Sequence, residues 1–324
     1  MPITLNQNLF ISTISNLIIY TKYYNQFRYG RGISRFLEAF RSDDVERGDG
    51  VVIRTAEVLT PKDLNVEASS LLEINKPVIS EQYIPISAFK VIPLTLNEEI
   101  MRMSFSEEYA LSNFMGYLMS LLQITKEISL YNEISGVITQ ALVDASTTGI
   151  TSVNVTGFEK EVENATAVEE NARRTANANA LYRAIMRVVG EASIGSYQNS
   201  LGDTIYTTPE NLVLLIPSAV LATLDVDTLA TLLNSSVISN GINIEIIPWD
   251  FGKHKQASQS AVADTTCMLL DKEAVQYGFK YQLSTSFFDS SNLNTNYWNH
   301  YAYYAAYVNG AFGVALNVTN MFTE

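Results

Sequence analysis

The spacing of apolar residues changes several times along the chain, and each change marks a different kind of element. Between Gly50 and Leu96 the pattern has period two. The segments GVVIRTAEVLT and EQYIPISAFKVIPLTL are rich in Val, Ile, Thr and aromatic residues and predict the two long strands of a projecting hairpin. Pro85 and Pro93 each remove a backbone donor, which places the second strand at an edge or on a bulge. Between the strands, residues 61–80 carry Leu64, Val66, Leu71, Leu72 and Ile74 with no apolar partner nearby in sequence. Such a tip folds back or docks on another molecule.

From Phe105 to Leu142 the period becomes helical. Leu111, Phe114, Leu118, Leu121, Ile128, Tyr131, Ile134, Ile138 and Leu142 recur at steps of three, four or seven and predict one apolar face along a helix of about 57 Å. Ser104 or Ser106 would cap it, and Glu107 and Glu108 suit its positive end. The alternative is two shorter helices meeting at Gly116 or Gly136. GITSVNVTGF, residues 149–158, alternates weakly as a short strand or loop, and Val168–Ala192 is helical again.

NLVLLIP, Asn211–Pro217, is a continuous apolar run of the kind found in strands buried on both faces. Short helices over Ser218–Leu224 and Asp227–Leu233 and a strand in GINIEIIPWD follow, so Thr208–Gly252 reads as a compact α/β unit. The chain ends on a strand at CMLLD, a turn at Asp271–Glu273 and the aromatic stretch YWNHYAYYAAYVNGAFGVAL. There Tyr297, Tyr301, Tyr303 and Tyr307 fall on alternate strand positions, and Asn309-Gly310 signals a tight turn. The expected fold class is α+β.

Composition sharpens this picture. The 324 residues are 47% hydrophobic and 17% charged, which suffices for two intergrown domains and excludes a disordered chain. The net charge of −13 argues against a surface that grips nucleic acid throughout. It is unevenly spread: Lys22, Arg28, Arg31, Arg35 and Arg41 against Glu38 give residues 22–41 a charge of +4 and leave −17 for the rest. Two readings stand for this arm, a solvated helix face or a segment that lies on an acidic neighbour or a polyanion. On the second, deleting residues 1–41 leaves a folded subunit that does not assemble. The N-terminal sequence shows no basic secretory leader and no apolar run long enough to span a bilayer, so a soluble cytoplasmic product and no membrane partner are expected.

Candidate chemistry is sparse. His254, His300 and Cys267 are the whole inventory of imidazoles and thiols, and no zinc-type spacing or intrachain disulfide is possible, which suits a reducing compartment. His254 sits in a polar loop, GKHKQASQS, and His300 among strand aromatics. Ser200, Asp203 and Tyr206 form a polar cluster near Gly202, without a nucleophile elbow. Gly30-Arg31-Gly32 lacks the third glycine of a phosphate loop. The carboxylate pairs Asp43/Asp44, Glu98/Glu99, Glu107/Glu108 and Glu169/Glu170 are adjacent in sequence and point apart. No catalytic, cofactor-binding or metal site is assigned, and no enzyme activity is expected.

The order of elements, and the runs ENLVLLIPSAVLATL, INIEIIPWD, CMLLDKEAVQYGF and YVNGAFGVAL within it, resembles the major capsid proteins of tailed bacteriophages, with the Hong Kong 97-like fold. The resemblance implies an N-terminal arm at 1–49, an extended loop at 50–96, a peripheral domain at 97–207 and 263–324 around a spine helix, and an axial domain at 208–262. It implies self-assembly through pentamers and hexamers into an icosahedral head around double-stranded DNA touched only non-specifically. Portal and separate scaffolding or decoration proteins are implied partners, and assembly in the host bacterial cytoplasm the implied setting. Crosslinking through Lys62 or Lys76 finds no partner pattern. Related alternatives are an encapsulin-like compartment and a tail or baseplate component.

Overall fold

A computed structural model describes residues 31–42, 50–56, 76, 79–97, 108–159, 166–225, 242–249, 251 and 265–318. In chain order its elements are α1 (Arg31–Ala39), β1 (Gly50–Ala56), β2 (Ile79–Pro85), β3 (Ala88–Asn97), α2 (Glu108–Val143), α3 (Ala145–Thr148) and β4 (Thr151–Asn154). There follow α4 (Ala167–Ser193), β5 (Tyr197–Gln198), β6 (Thr204–Ile205), β7 (Leu212–Pro217), α5 (Ser218–Ala222), β8 (Asn243–Ile247), β9 (Thr265–Asp271), β10 (Val275–Asp289), β11 (Asn294–Tyr307) and β12 (Gly313–Asn317). The hairpin tip with Leu64 to Ile74 and Lys62, the caps at Ser104 and Ser106, the helix at 227–233 and the His254 loop lie outside the described residues.

The centre is a five-stranded mixed sheet, β4-β12-β9-β7-β8, in which β9 runs antiparallel to β7 and β12. Every residue of β7 is buried, and the pleat divides them between two cores. Val213 and Leu215, with Met268, Leu270 and Ala315, face the layer that holds α2. Leu212, Leu214 and Ile216, with Cys267, Leu269, Val314 and Leu316, face α4. A capping box between Thr166 and Glu169 starts α4. The buried Asn177 side chain then clamps the main chain of Glu159, accepting at 2.7 Å and donating at 2.9 Å.

The helix α2 runs unbroken through Gly116 and Gly136, and Leu130, Tyr131, Ile134, Ile138, Ala141 and Leu142 form its buried stripe. It covers part of one face of a three-stranded antiparallel sheet, β10-β11-β3. Tyr301 and Tyr303 of β11 lie on that covered face, 1% exposed, with ring centroids 6.1 Å apart. Pro93 is accommodated because β3 is an edge strand. The turn at Asn309-Gly310 does not close a hairpin. It carries the chain from β11 into β12 of the other sheet, with Gly310 at φ +79 and its N–H bonded to Thr148 O at 2.9 Å.

Three expectations change. The second hairpin strand is two strands: β2 pairs with β1, and after Pro85 the chain crosses to β11, where Ser87 exchanges hydrogen bonds with Ala305 and β3 begins. The extended loop expected at 50–96 therefore keeps only β1 and β2 among its described strands. Nor is the α/β unit at 208–262 self-contained. Its strands β7 and β8 share a sheet with β4, β9 and β12, from segments expected in the peripheral domain, because the apolar β7 needs a neighbour on each side.

The third concerns the arm. Residues 31–42, within the arm expected at 1–49, are docked on their own subunit: Phe36 and Phe40 are 2% and 1% exposed, and Phe36 meets the Tyr131 ring edge-on at 4.9 Å. Arg41 makes a β-bridge with Tyr277 and lies over the Phe279 ring. Deleting residues 1–41 would thus strip part of the core.

Candidate functional site

The residues with catalytic potential serve structure. Asn199 organises the turn between β5 and β6, its Oδ1 accepting from Leu201 N at 3.0 Å and Asp203 N at 2.8 Å. Ser200 donates to Ala145 O, and Tyr206 is exposed. Ser200 and Asp203 are thus parts of a turn, and Tyr206 lies beyond β6. Glu169 belongs to the α4 cap and Glu170 pairs with Arg174, while Asp43, Asp44, Glu98, Glu99 and Glu107 lie outside the described residues. Burial pushes the Cys267 thiol up. Among the described residues no three His, Cys, Asp or Glu side chains converge as metal ligands, and no helix is long and apolar enough to cross a membrane.

Titratable groups inside the fold act as fasteners. Lys90 of β3 pairs with Glu133 of α2, donates to Ser129 at 3.2 Å and lies over the Tyr303 ring. Burial pulls its pKa down, but Glu133 and Tyr303 outweigh that and the net shift is upward. Lys126, 8% exposed, donates to Gln282 at 2.7 Å and sits over Phe279; burial lowers its pKa against the opposing pull of Glu127. Both join α2 to the three-stranded sheet. Arg35 joins α1 to β8, 2.6 Å from Glu245 and 2.8 Å from Asn243. Burial raises the Tyr131 phenol to about 12, and Trp249 Nε1 donates to its oxygen at 3.0 Å.

What remains unpartnered is surface. The β1-β2 ribbon is held at its root, where Gln82 bonds to Tyr307 O and Asn309 N, each at 2.8 Å. One ribbon face carries the cross-strand pairs Val52↔Tyr83, Arg54↔Glu81 and Ala56↔Ile79. Its apolar members Val52, Tyr83 and Ile79 are all more than half exposed. The second surface is the face of β10-β11-β3 turned away from α2. Register places Phe89, Val91 and Pro93 of β3, Trp298, His300 and Ala302 of β11, and Tyr281, Leu283 and Phe287 of β10 on it. Phe89 is 66% exposed, Phe287 61% and Leu283 56%. Sequence reasoning missed this surface, because it exists only once three segments are brought side by side.

The comparisons with known proteins agree with a molecule built for contacts. No curated protein sequence matches the chain. Its fold is similar to the capsid structure of Staphylococcus phage Andhra, with a TM-score of 0.57 at 12% identity over 93% of this chain and 86% of that one. The mature capsid of bacteriophage PhiM1 scores 0.56 at 10% identity, covering 93% and 90%. The capsid of cyanophage P-SCSP1u scores 0.53 at 11% identity, covering 94% of each chain. The α+β architecture is therefore the Hong Kong 97-like capsid fold. A family model for Phi29-like phage major capsid proteins matches residues 5–311, and the chain belongs to that family of virion shell proteins.

Proposed function

We propose that this capsid protein self-assembles through pentamers and hexamers into the closed icosahedral head of a tailed bacteriophage, around double-stranded DNA. The observation that carries the reading is the β1-β2 ribbon. A two-stranded ribbon is marginal alone, and this one presents Val52, Tyr83 and Ile79 to water while its root is fastened to β11. It gains its stability against a neighbouring subunit. The net charge of −13 suits a wall that encloses DNA with only non-specific contacts. A portal and scaffolding or decoration proteins complete the assembly, in the host bacterial cytoplasm, and no catalytic step is assigned to the chain. In this reading β1-β2 is the extended loop, α2 with the three-stranded sheet the peripheral unit, and the five-stranded sheet with α4 the axial one. Negative-stain microscopy of the purified protein tests the reading. Closed shells are expected; rings, tubes or a small monodisperse particle overturn it.

A further inference from the structure

The ribbon is tied to its own subunit at the turn that contains Asn309-Gly310. Gln82 of β2 donates from Nε2 to Tyr307 O and accepts at Oε1 from Asn309 N, each at 2.8 Å. One residue on, Gly310 N donates to Thr148 O at 2.9 Å. The Thr148 hydroxyl in turn donates to Ala141 O, in the last turn of α2, at 2.8 Å. The same turn therefore fastens the ribbon through Asn309 and the end of α2 through Gly310. Beside it a cavity of about 270 Å³, lined by Ile53, Thr55, Val308 and Ala311 among others, parts β1 from the body. Packing across that gap is incomplete, so the two bonds of Gln82 carry more of the attachment.

We infer that Asn309 is a deamidation site that the folded turn keeps closed, and that its conversion to isoaspartate unties the ribbon. Glycine after asparagine favours the reaction, because it has no side chain to hinder its own nitrogen. The Gly310 amide nitrogen gives its proton to water and attacks Cγ of Asn309. The bond from Cγ to the side-chain nitrogen breaks, and that nitrogen takes up a proton and leaves as ammonia. Water then opens the succinimide ring at one of its two carbonyls. One opening gives aspartate, the other an isoaspartate whose main chain runs through the former side chain. The balance is asparagine plus water to isoaspartate plus ammonia, with nothing oxidised or reduced.

Asn309 is exposed, so water reaches its carboxamide. The restraint lies on the attacking nitrogen. Gly310 N–H is committed to Thr148 O, and the residues on either side are pinned by Val308 N to Ala274 O at 2.8 Å and Ala311 N to Val308 O at 3.1 Å. Attack requires the turn to open, so the folded rate is the unfolded rate reduced by the fraction of time spent open. The consequence follows from the same bonds. Isoaspartate adds one carbon–carbon bond, about 1.5 Å, to the main chain between Asn309 N, which Gln82 holds, and Gly310 N, which Thr148 holds. It also sets a new carboxylate beside Asp203, whose Oδ2 lies next to Gly310. The spacing that satisfied both bonds is lost, and the ribbon, with a cavity at its root, is the side that gives.

Peptide mapping by mass spectrometry of unassembled subunits held in mildly alkaline buffer tests the site. It needs no shells, so its outcome is independent of the capsid reading. Asn309 should convert several-fold more slowly in folded subunits than in urea-unfolded ones, and equal rates overturn the inference. Gln82→Leu, which deletes both bonds at the root, should speed conversion several-fold in the folded protein. The same dipeptide at Asn240-Gly241, outside the described residues, should keep its wild-type rate in that variant. A wild-type rate at Asn309 in Gln82→Leu, or equal acceleration at both dipeptides, overturns the guarding role of Gln82. The isoaspartate fraction, separated from its parent, should exchange amide hydrogens several-fold faster over β1 and β2 and at the parent rate over β7 and β9. Unchanged exchange in the ribbon sinks the proposed consequence. Asn309→Ser has no carboxamide and should keep its ribbon protected through the same storage; ribbon exchange that rises in this variant too would place the ageing at another residue and overturn the inference.

Discussion

The two large sheets are made of comparably apolar strands, yet one is covered on both faces and the other over only part of one. In the five-stranded sheet, β7 and β9 are buried along almost their whole length, and alternate side chains feed two cores. In the three-stranded sheet, α2 covers the face with Tyr301 and Tyr303, while Phe89, Leu283 and Phe287 on the other face meet water. The first finishes its burial inside the subunit. The second leaves it to be finished elsewhere, which is the physical distinction between a fold's core and an assembly's interface.

The largest expected effect falls on the layer that both sheets share. Phe40 closes the cluster that contains Met268 and Leu270 from one sheet and Tyr277 and Phe279 from the other. Phe40→Ala should cost about 3–5 kcal/mol in urea unfolding of the unassembled subunit. Deletion through residue 41 should lower its melting temperature as Phe40→Ala does, and an unchanged melting temperature would break the assignment of 31–42 to the core.

The direct comparison pairs two leucines. Leu214→Ala, at 0% exposure in β7, should cost about 2–5 kcal/mol, and Leu283→Ala, on the open face of β10, less than about 0.5 kcal/mol. A large loss at Leu283 would mean that the outward face is already packed within the subunit.

The legible and illegible parts of the fold divide along the same line. Local patterns were readable: the stripe of Tyr131, Ile134, Ile138 and Leu142 on α2, the apolar run of β7, the weak alternation that became β4 and the turn at Asn309-Gly310. Pairings between distant segments were not. The alternation from Glu81 to Leu96 is continuous, so nothing local says that β2 joins β1 while β3 joins a strand 200 residues away. Nor does the sequence betray the bulge between Phe279 and Tyr281, because Val275, Tyr277, Phe279, Tyr281, Leu283 and Phe287 keep one unbroken odd-numbered rhythm while the chain turns it inside out. The docked helix α1 was within reach. Phe36, Leu37 and Phe40 stand at helical spacing beside the Arg31 and Arg35 that drew attention to charge.

A smaller effect is expected where α2 is fastened to the half-covered sheet. Lys90→Met removes the pair with Glu133 and the bond to Ser129. Both side chains are partly exposed, so the loss should be about 1 kcal/mol or less by thermal unfolding. A loss as large as that of Leu214→Ala would show that this sheet depends on its polar fasteners more than on the aromatic layer beneath them.

The smallest effect lies at the edge of the fully covered sheet. Glu245 of β8 is buried, and burial raises its pKa even though Arg35 pulls it down. The folded state therefore holds a proton that the unfolded state, with its value of about 4.3, has already released. By linkage, the stability contributed by Glu245 is highest in acid, falls as pH rises from the unfolded value through the raised folded one, and is flat above it. Glu245→Gln cannot titrate and should lack that decline, staying within about 1 kcal/mol of wild type at pH 7. Arg35→Ala leaves the carboxylate without its cation, so its penalty should be greater at pH 7 than at pH 4. Thermal unfolding of the three proteins across that range decides the matter. A Glu245→Gln subunit whose deficit grows as pH rises would mean that the ion pair between α1 and β8 outweighs the cost of burying its charge.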